Sequence, residues 1–423
     1  MIEYLKLKNV GPSVEMQAAF APRLNVITGD NGLGKSFLLD VAWWALTRTW
    51  ADNPALPTNG RNPTIEYRVL GKTRRADPVK STFRRADATW PIDPRRPPMP
   101  GIVIYVRIDG GFSVWDPARN YWRKDPGRPP AYHFDAKSVW EGLEVGGERP
   151  CEGLERDWVG WQEGQKPQFQ VLKKVLEILS PAGEPLRPGP PKRLLIGEGR
   201  DRPTLLIGND QVPVALASAG IRRVLALTYL LVWAWHEHRV SAELLKKPAE
   251  HRVVVLFDEP ETHLHPRWQR TLIPSLLSAL VELRKDSRTD PQIILATHAP
   301  LVVASLEPYF STETDDLFLL RNESGTIRLT SGHWAKQGDA TNWLVSEAFG
   351  LEQARSLEAE QAIEAAEAYM RGDELPEGLK TREAIHARLR QLLPGHDTFW
   401  PRWIVKSGSH PDGRPRRKQG KRS

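Results

Sequence analysis

The chain has 423 residues, 40% of them hydrophobic and 26% charged, enough to bury at least one large core and too apolar for a wholly disordered polymer. Its longest apolar run, Val224 to Trp235, falls short of the roughly 18 residues that argue for a bilayer span, and Met1-Ile2-Glu3-Tyr4-Leu5 lacks a charged-then-apolar signal layout; no membrane partner and a cytoplasmic location are expected. The single cysteine, Cys151, excludes an internal disulfide, and the net charge of +7 is local, because Arg414, Arg416, Arg417, Lys418, Lys421 and Arg422 leave only +1 for residues 1 to 413.

The opening IEYLKLKNVGPSVEMQAAF alternates polar and apolar residues like a half-buried antiparallel strand pair, and RLNVITG then runs as a short buried strand into a glycine loop. Ser36 to Trp50 contains no glycine or proline and is expected to be a helix. Residues 51 to about 135 are rich in Pro, Arg and Gly around one clear strand, Gly101 to Ile108, and read as insertions wrapped on a core. A helix around Phe169 to Leu179, a loop at 181–192 and strands near 193–207 follow. Beyond them come a helix at 219–238, a strand at 252–257, a helix at 266–284, and strands at 292–296 and 317–320. Alternation of helices with short apolar strands predicts an α/β fold with a mostly parallel sheet. Residues 351–371 and 381–393 read as helices packed on it, and the basic end as a solvated arm able to touch nucleic-acid phosphate.

Four elements carry chemistry. The first is GDNGLGKS, that is Gly29, Asp30, Asn31, Gly32, Leu33, Gly34, Lys35 and Ser36, which fits G-x-x-x-x-G-K-[ST] with strand and helix flanks in place. Glycines let backbone N–H groups turn toward phosphates, Lys35 would neutralise the β- and γ-phosphates, and Ser36 would ligate Mg²⁺. ATP is therefore the expected ligand. The second, RVVVLFDEPE, is an apolar strand ending in Asp258, a candidate metal ligand, and Glu259, a candidate general base. The third, QIILATHAP, ends a buried strand in Thr297 and His298, the latter suited to contact a γ-phosphate. In the fourth, ALASAGIRRVLALTYLL, Ser218 and Gly220 precede a long helix and form a second anion site. Glu261, His263 and His265 form an alternative, metal-ligating set.

These four elements in this order resemble the ABC-type ATPases of the structural-maintenance-of-chromosomes and RecF class, and more closely the bacterial AAA-named ATPases related to the OLD family. The resemblance covers roughly residues 1–50 and 205–320 and implies a P-loop NTPase head in two halves, 1–50 and 205–330, separated by an insertion at 51–204. A helical region at 331–406 and a basic tail at 407–423 would follow. In that class two heads sandwich two ATPs, which implies a homodimer in which Ser218 and Gly220 of one copy face the P-loop of the other. Ala217, Ala219 and Ile221 depart from the family's Leu, Gly and Gln. His298 matches the switch histidine, and Glu259 and His298 would be the catalytic pair. A glutamine loop is not placed, since Gln162, Gln165, Gln168 and Gln170 all fall in the insertion.

The stretches FDAKSVWEGLEVGG and QGDATNWLVSEAFGLEQARSLEAE also resemble bacterial ATPases encoded beside nucleases in phage-defence loci. The expected function is an ATP-gated switch acting on a separate effector, such as a nuclease, in antiphage defence or DNA repair. The alternatives are a nucleic-acid-binding module with a slow ATPase and a transporter subunit. A fused Toprim nuclease is not expected, because Asp315 and Asp316 precede a strand instead of ending a later one. Trp90, Trp115, Trp122, Trp140, Trp158 and Trp161 lie in the insertion, where they could stack on single-stranded nucleic acid or, as favoured, pack the insertion itself.

Overall fold

The computed structural model describes residues 1–58, 62–71, 77–92, 99–121, 129–181, 183–284 and 291–407. The basic arm at 414–423 and Trp122 lie outside the described residues. The chain forms two compact units, Met1–Phe349 and Gly350–Ser423.

In the first unit, β1 (Ile2–Val10) and β2 (Ser13–Ala19) pair antiparallel, Leu7 opposite Met16, as their alternating pattern predicts. Then come β3 (Leu24–Gly29) and α1 (Lys35–Thr47). The helix stops before Trp50 because Arg48 adopts φ 60° and returns its N–H to the Trp44 carbonyl. β4 (Thr64–Val69) and β5 (Val79–Thr82) complete a four-stranded sheet in the order β2-β1-β4-β5.

The stretch 51–204 supplies far more than a wrapping. Its β6 (Ile102–Val106), β7 (Phe112–Trp115) and β8 (Tyr132–Phe134) extend the central sheet. All five residues of β6 are buried, the pattern of a strand covered on both faces. After α2 (Ala136–Glu141), β9 (Leu143–Val145) and β10 (Glu148–Cys151) come α3 (Leu154–Glu163) and α4 (Pro167–Leu179). β11 (Arg187–Lys192) lies in what the sequence reads as loop, and pairs with β12 (Arg202–Ile207), which pairs in turn with β13 (Asp210–Pro213). Proline suits β11 because an edge strand needs ladder donors on one side only. Residues 193–201, expected to begin a strand, instead link β11 to β12.

The remaining elements are α5 (Ala219–Leu244), β14 (Val253–Asp258), α6 (Pro266–Gln269), α7 (Leu272–Leu283), β15 (Gln292–Ala296), α8 (Pro300–Leu306), β16 (Asp315–Glu323), β17 (Thr326–Ser331) and α9 (Ala340–Leu344). The helix expected over 266–284 is broken at Arg270–Thr271, since Pro274 lacks an N–H and its ring crowds the carbonyl four residues back. The eight-stranded central sheet runs β17-β16-β3-β15-β14-β6-β7-β8, with β16, β3, β15, β14 and β6 mutually parallel. Alternation along these strands divides the core. Val254, Leu256, Val103, Tyr105 and Ile294 pack with Trp43 and Trp44 of α1 and with the four-stranded sheet, whereas Val255, Phe257, Ile104 and Ile293 pack against α4, α5, α7 and α8.

Trp90, Trp115, Trp158 and Trp161 are buried, and Trp90 donates to the Ala55 carbonyl at 2.8 Å. They pack the core, as favoured, and present no stacking platform. The Cys151 thiol is also buried, 3.0 Å from the Tyr229 hydroxyl, and burial pushes its pKa up to about 12. Asp315 pairs with Arg23 through both carboxylate oxygens at the start of β16. None of the described helices is long and apolar enough to cross a membrane. Among the described residues, the second unit comprises α10 (Leu357–Arg371), capped by Ser356, α11 (Arg382–Leu392) and α12 (Phe399–Ser407). Its core contains Ile363, Ile385, Leu389 and Trp403.

Candidate active site

Parallel register assembles the site. Ile27 pairs with Ala296, Ala296 with Asp258, and Val106 with Phe257, so the chain leaves β3, β15, β14 and β6 along one edge of the sheet. That carboxyl edge is where open α/β sheets hold their ligands. The loop after β3 carries Gly29–Ser36, the end of β14 carries Asp258 and Glu259, and the residues after β15 carry Thr297 and His298.

The glycine loop is shaped by its backbone. Gly29, Gly32 and Gly34 have φ of 150°, 80° and 100°. A Cβ at Gly29 would stand 2.2 Å from the Leu320 carbonyl oxygen and one at Gly34 2.6 Å from Pro12 Cγ, so neither position admits a side chain. A Cβ at Gly32 would meet nothing within 4 Å, which leaves that side of the cradle open. Asp30 and Asn31 are on the exposed rim, whereas Leu33 is buried. Lys35 is 5% exposed and donates to the carbonyls of Gly29 at 2.8 Å and Asp30 at 3.1 Å. Burial lowers its pKa against the opposing pull of Glu259, Asp258 and Glu261.

Asp258 is buried, and desolvation raises its pKa to about 6; the Ser36 hydroxyl, hydrogen-bonded to the carboxyl, opposes the rise and the Glu259 charge adds to it. Its Oδ1 has no partner. An unpaired buried carboxylate oxygen beside a serine hydroxyl is the donor set a hard divalent cation takes, so these residues fit Mg²⁺. Glu259 sits at φ 44°, a strained conformation for a non-glycine residue, and its Oε1 is 3.1 Å from His298 Nδ1. Carboxylate and imidazole thus meet beside the glycine loop, where a water could be polarised.

Ser218 caps α5, its hydroxyl accepting from the Ile221 N–H at 3.4 Å, and is exposed. A Cβ on Gly220 would stand 2.7 Å from the His263 carbonyl oxygen, so this glycine lets the start of α5 close on the turn after Glu259. Sequence reasoning missed several contacts at this edge. Arg223, one turn into α5, donates to the carbonyls of Asp258 at 3.2 Å, Glu259 at 3.1 Å and Ile108 at 3.2 Å. Tyr105 donates to Asp40, four residues beyond Ser36, at 2.9 Å. Glu261 accepts from Thr297 and from the His298 backbone. The only hint of Arg223 is the Arg222-Arg223 pair after the helix cap.

His265 caps α6 by accepting from the Arg267 N–H at 3.3 Å. It and Glu261 are therefore engaged separately, and among the described residues the group with metal-like geometry is instead Glu352, Glu360 and Glu364. Gln162 bonds Trp158 and the Gly189 carbonyl, and Gln168 bonds His236, which commits both to the α3 and α4 layer. The chain leaving β6 beside β14 is Arg107-Ile108-Asp109, without a glutamine.

Residues 208–304 match the family described as "AAA domain, putative AbiEii toxin, Type IV TA system". A segment of 62 residues is 36% identical to "Retron Vc95 probable ATPase" of Vibrio cholerae; it makes up 15% of this chain and 10% of that relative's length. Similar solved structures include the SMC head domain from Thermotoga maritima, at 13% identity and TM-score 0.39, with 79% of this chain and 99% of that chain covered. Another is the recombination mediator RecF, at 11% identity and TM-score 0.39, with 78% and 98% covered.

Proposed function

We infer that this chain is an ABC-type ATPase that binds Mg-ATP on Gly29–Ser36 and hydrolyses it, a reading supported by its match to the AAA-domain family model and to a retron ATPase. The observation that carries this reading is the convergence on one sheet edge of the glycine cradle, buried Lys35, Asp258 with its unpartnered Oδ1, and the Glu259–His298 pair.

Lys35 is already desolvated, so its ammonium can exchange the Gly29 and Asp30 carbonyls for phosphate oxygens at little further cost in burial. Ser36 and Asp258 would hold Mg²⁺, which when bound neutralises developing phosphate charge. Glu259 takes a proton from the attacking water as general base, and His298, 3.1 Å away, is placed to exchange that carboxylate for the γ-phosphate. Exposed Ser218 and the α5 N-terminus complete the site of a second copy, making a homodimer closed by two nucleotides. Resemblance to defence-locus ATPases, with a retron ATPase among the matches, supports a cycle that switches a separate effector, a nuclease foremost, in antiphage defence or DNA repair.

Mixing two inactive variants tests the composite site. Lys35→Ala and Ser218→Arg should each lose phosphate release from ATP, while their mixture recovers part of it, because a heterodimer contains one intact pairing. A mixture as inactive as its components would exclude sites shared between copies. Glu259→Gln should dimerise in ATP, seen by analytical ultracentrifugation, without turning it over.

A further inference from the structure

The carboxylate of Glu261 stands three residues beyond Asp258, with a side chain only 6% exposed. Its Oε1 accepts from Thr297 Oγ1 at 2.8 Å and from the His298 N–H at 3.0 Å, and lies 3.4 Å from His298 Nδ1. Its Oε2 has no partner. Thr297 Oγ1 in turn accepts from the Ala299 N–H at 3.1 Å, and the Glu259 N–H returns to the Ala296 carbonyl at 2.9 Å. The turns that follow the paired strands β14 and β15 are therefore tied together by one backbone bond and by one carboxylate oxygen.

We propose that Glu261 is a positioning residue for His298, fixing its backbone so that the imidazole is shared between two carboxylates until a γ-phosphate competes for it. The inference rests on the ATPase reading. Glu259 Oε1 at 3.1 Å and Glu261 Oε1 at 3.4 Å both face Nδ1. With the His298 N–H anchored, the ring moves by side-chain rotation and the strand end stays in place. Removing the carboxylate leaves the Thr297 hydroxyl and the His298 N–H as donors without their acceptor, which is costly and is why removal and conservative replacement should differ.

Glu261→Gln keeps an oxygen able to accept from Thr297 and the His298 N–H, whereas Glu261→Ala keeps nothing. In phosphate-release assays with ATP and Mg²⁺, Glu261→Ala should lose roughly 10- to 100-fold in kcat with KM for ATP within about twofold, since the P-loop is untouched and a small misplacement of a catalytic group costs this much. Glu261→Gln should recover most of the loss, and Thr297→Val should show a smaller loss of the same kind. Wild-type kcat in Glu261→Ala, or a parallel collapse of kcat and ATP affinity that Gln does not rescue, would overturn the proposal. A second readout does not depend on turnover. In protein selectively labelled with ¹⁵N-histidine, the imidazole resonance that disappears in His298→Gln should shift in Glu261→Ala, because the ring loses one of its two neighbouring carboxylates. An unchanged resonance would refute the positioning role, whereas a shifted resonance in a protein that does not hydrolyse ATP would refute only the ATPase reading.

Discussion

Arg223 shows how single side chains hold the site. Its guanidinium donates to the carbonyls of Asp258 and Glu259, and burial lowers its pKa while Glu261 and Asp258 oppose the fall. Hydrogen bonds involving a charged partner contribute about 1.5–3 kcal/mol each, less the cost of desolvating the cation. Arg223→Ala should therefore destabilise the fold by about 2 kcal/mol in urea denaturation and lower kcat more than ATP affinity, because Lys35 and the cradle remain. An unchanged denaturation midpoint would show that these bonds contribute nothing net. Lys35→Ala should abolish binding of a fluorescent ATP analogue with little loss of stability, its ammonium being satisfied only by loop carbonyls in the free protein. The P-loop, Asp258, Glu259 and His298 were legible in the sequence because each lies at the end of a recognisable apolar strand. Arg223 was not, and Glu261 was read only as a metal ligand, since their partners lie 35 or more residues away and only the sheet brings them close.

At the scale of elements, α5 and the turn after β14 meet at Gly220, where a methyl group would lie 2.7 Å from the His263 carbonyl oxygen. Gly220→Ala must push the helix start from the turn, and overpacking of this kind costs about 1–3 kcal/mol. The variant should unfold at lower denaturant and hydrolyse ATP more slowly, whereas Gly199→Ala, with open space around it, should do neither. Equal behaviour of the two variants would refute the steric account. Element types were largely readable from periodicity, including β1, β2, β3, α1, α5, β14 and β15. β6 was read as one clear strand, but its Pro- and Arg-rich flanks assigned it to a wrapping, and only its burial on both faces shows it inside the central sheet. β11 was hidden because Pro188, Pro190 and Pro191 read as loop, and only an edge position makes them compatible with pairing.

Across the whole molecule, several buried acids make stability depend on pH. Desolvation raises Asp157 to about 6 from 3.8, opposed by the hydrogen bond from Tyr229, and Asp40 and Asp258 are raised similarly. The folded state then binds protons that the unfolded chain releases, so these groups add stability as pH falls through about 6, with the gain complete below about 4. His133 works against them: burial lowers it from 6.5 to about 4, and its contribution is lost as pH falls across that range. Asp157→Asn isolates one term. It should be more stable than wild type at pH 7.5, by at most about 3 kcal/mol for a shift of this size, with the advantage down to about a third near pH 4.5 and gone below about pH 3.5. An advantage independent of pH would rule out Asp157 as its source. The strand order has a consequence for synthesis. β3, which launches the P-loop, is flanked by β15 and β16, whose residues paired with it are Ile293–Ala296 and Asp315–Leu320. At ribosomal speeds of about 5–20 residues per second, the nascent P-loop strand waits on the order of 15–60 s for either neighbour to emerge, an interval in which its unpaired backbone edges are open to chaperones or to other unfinished chains.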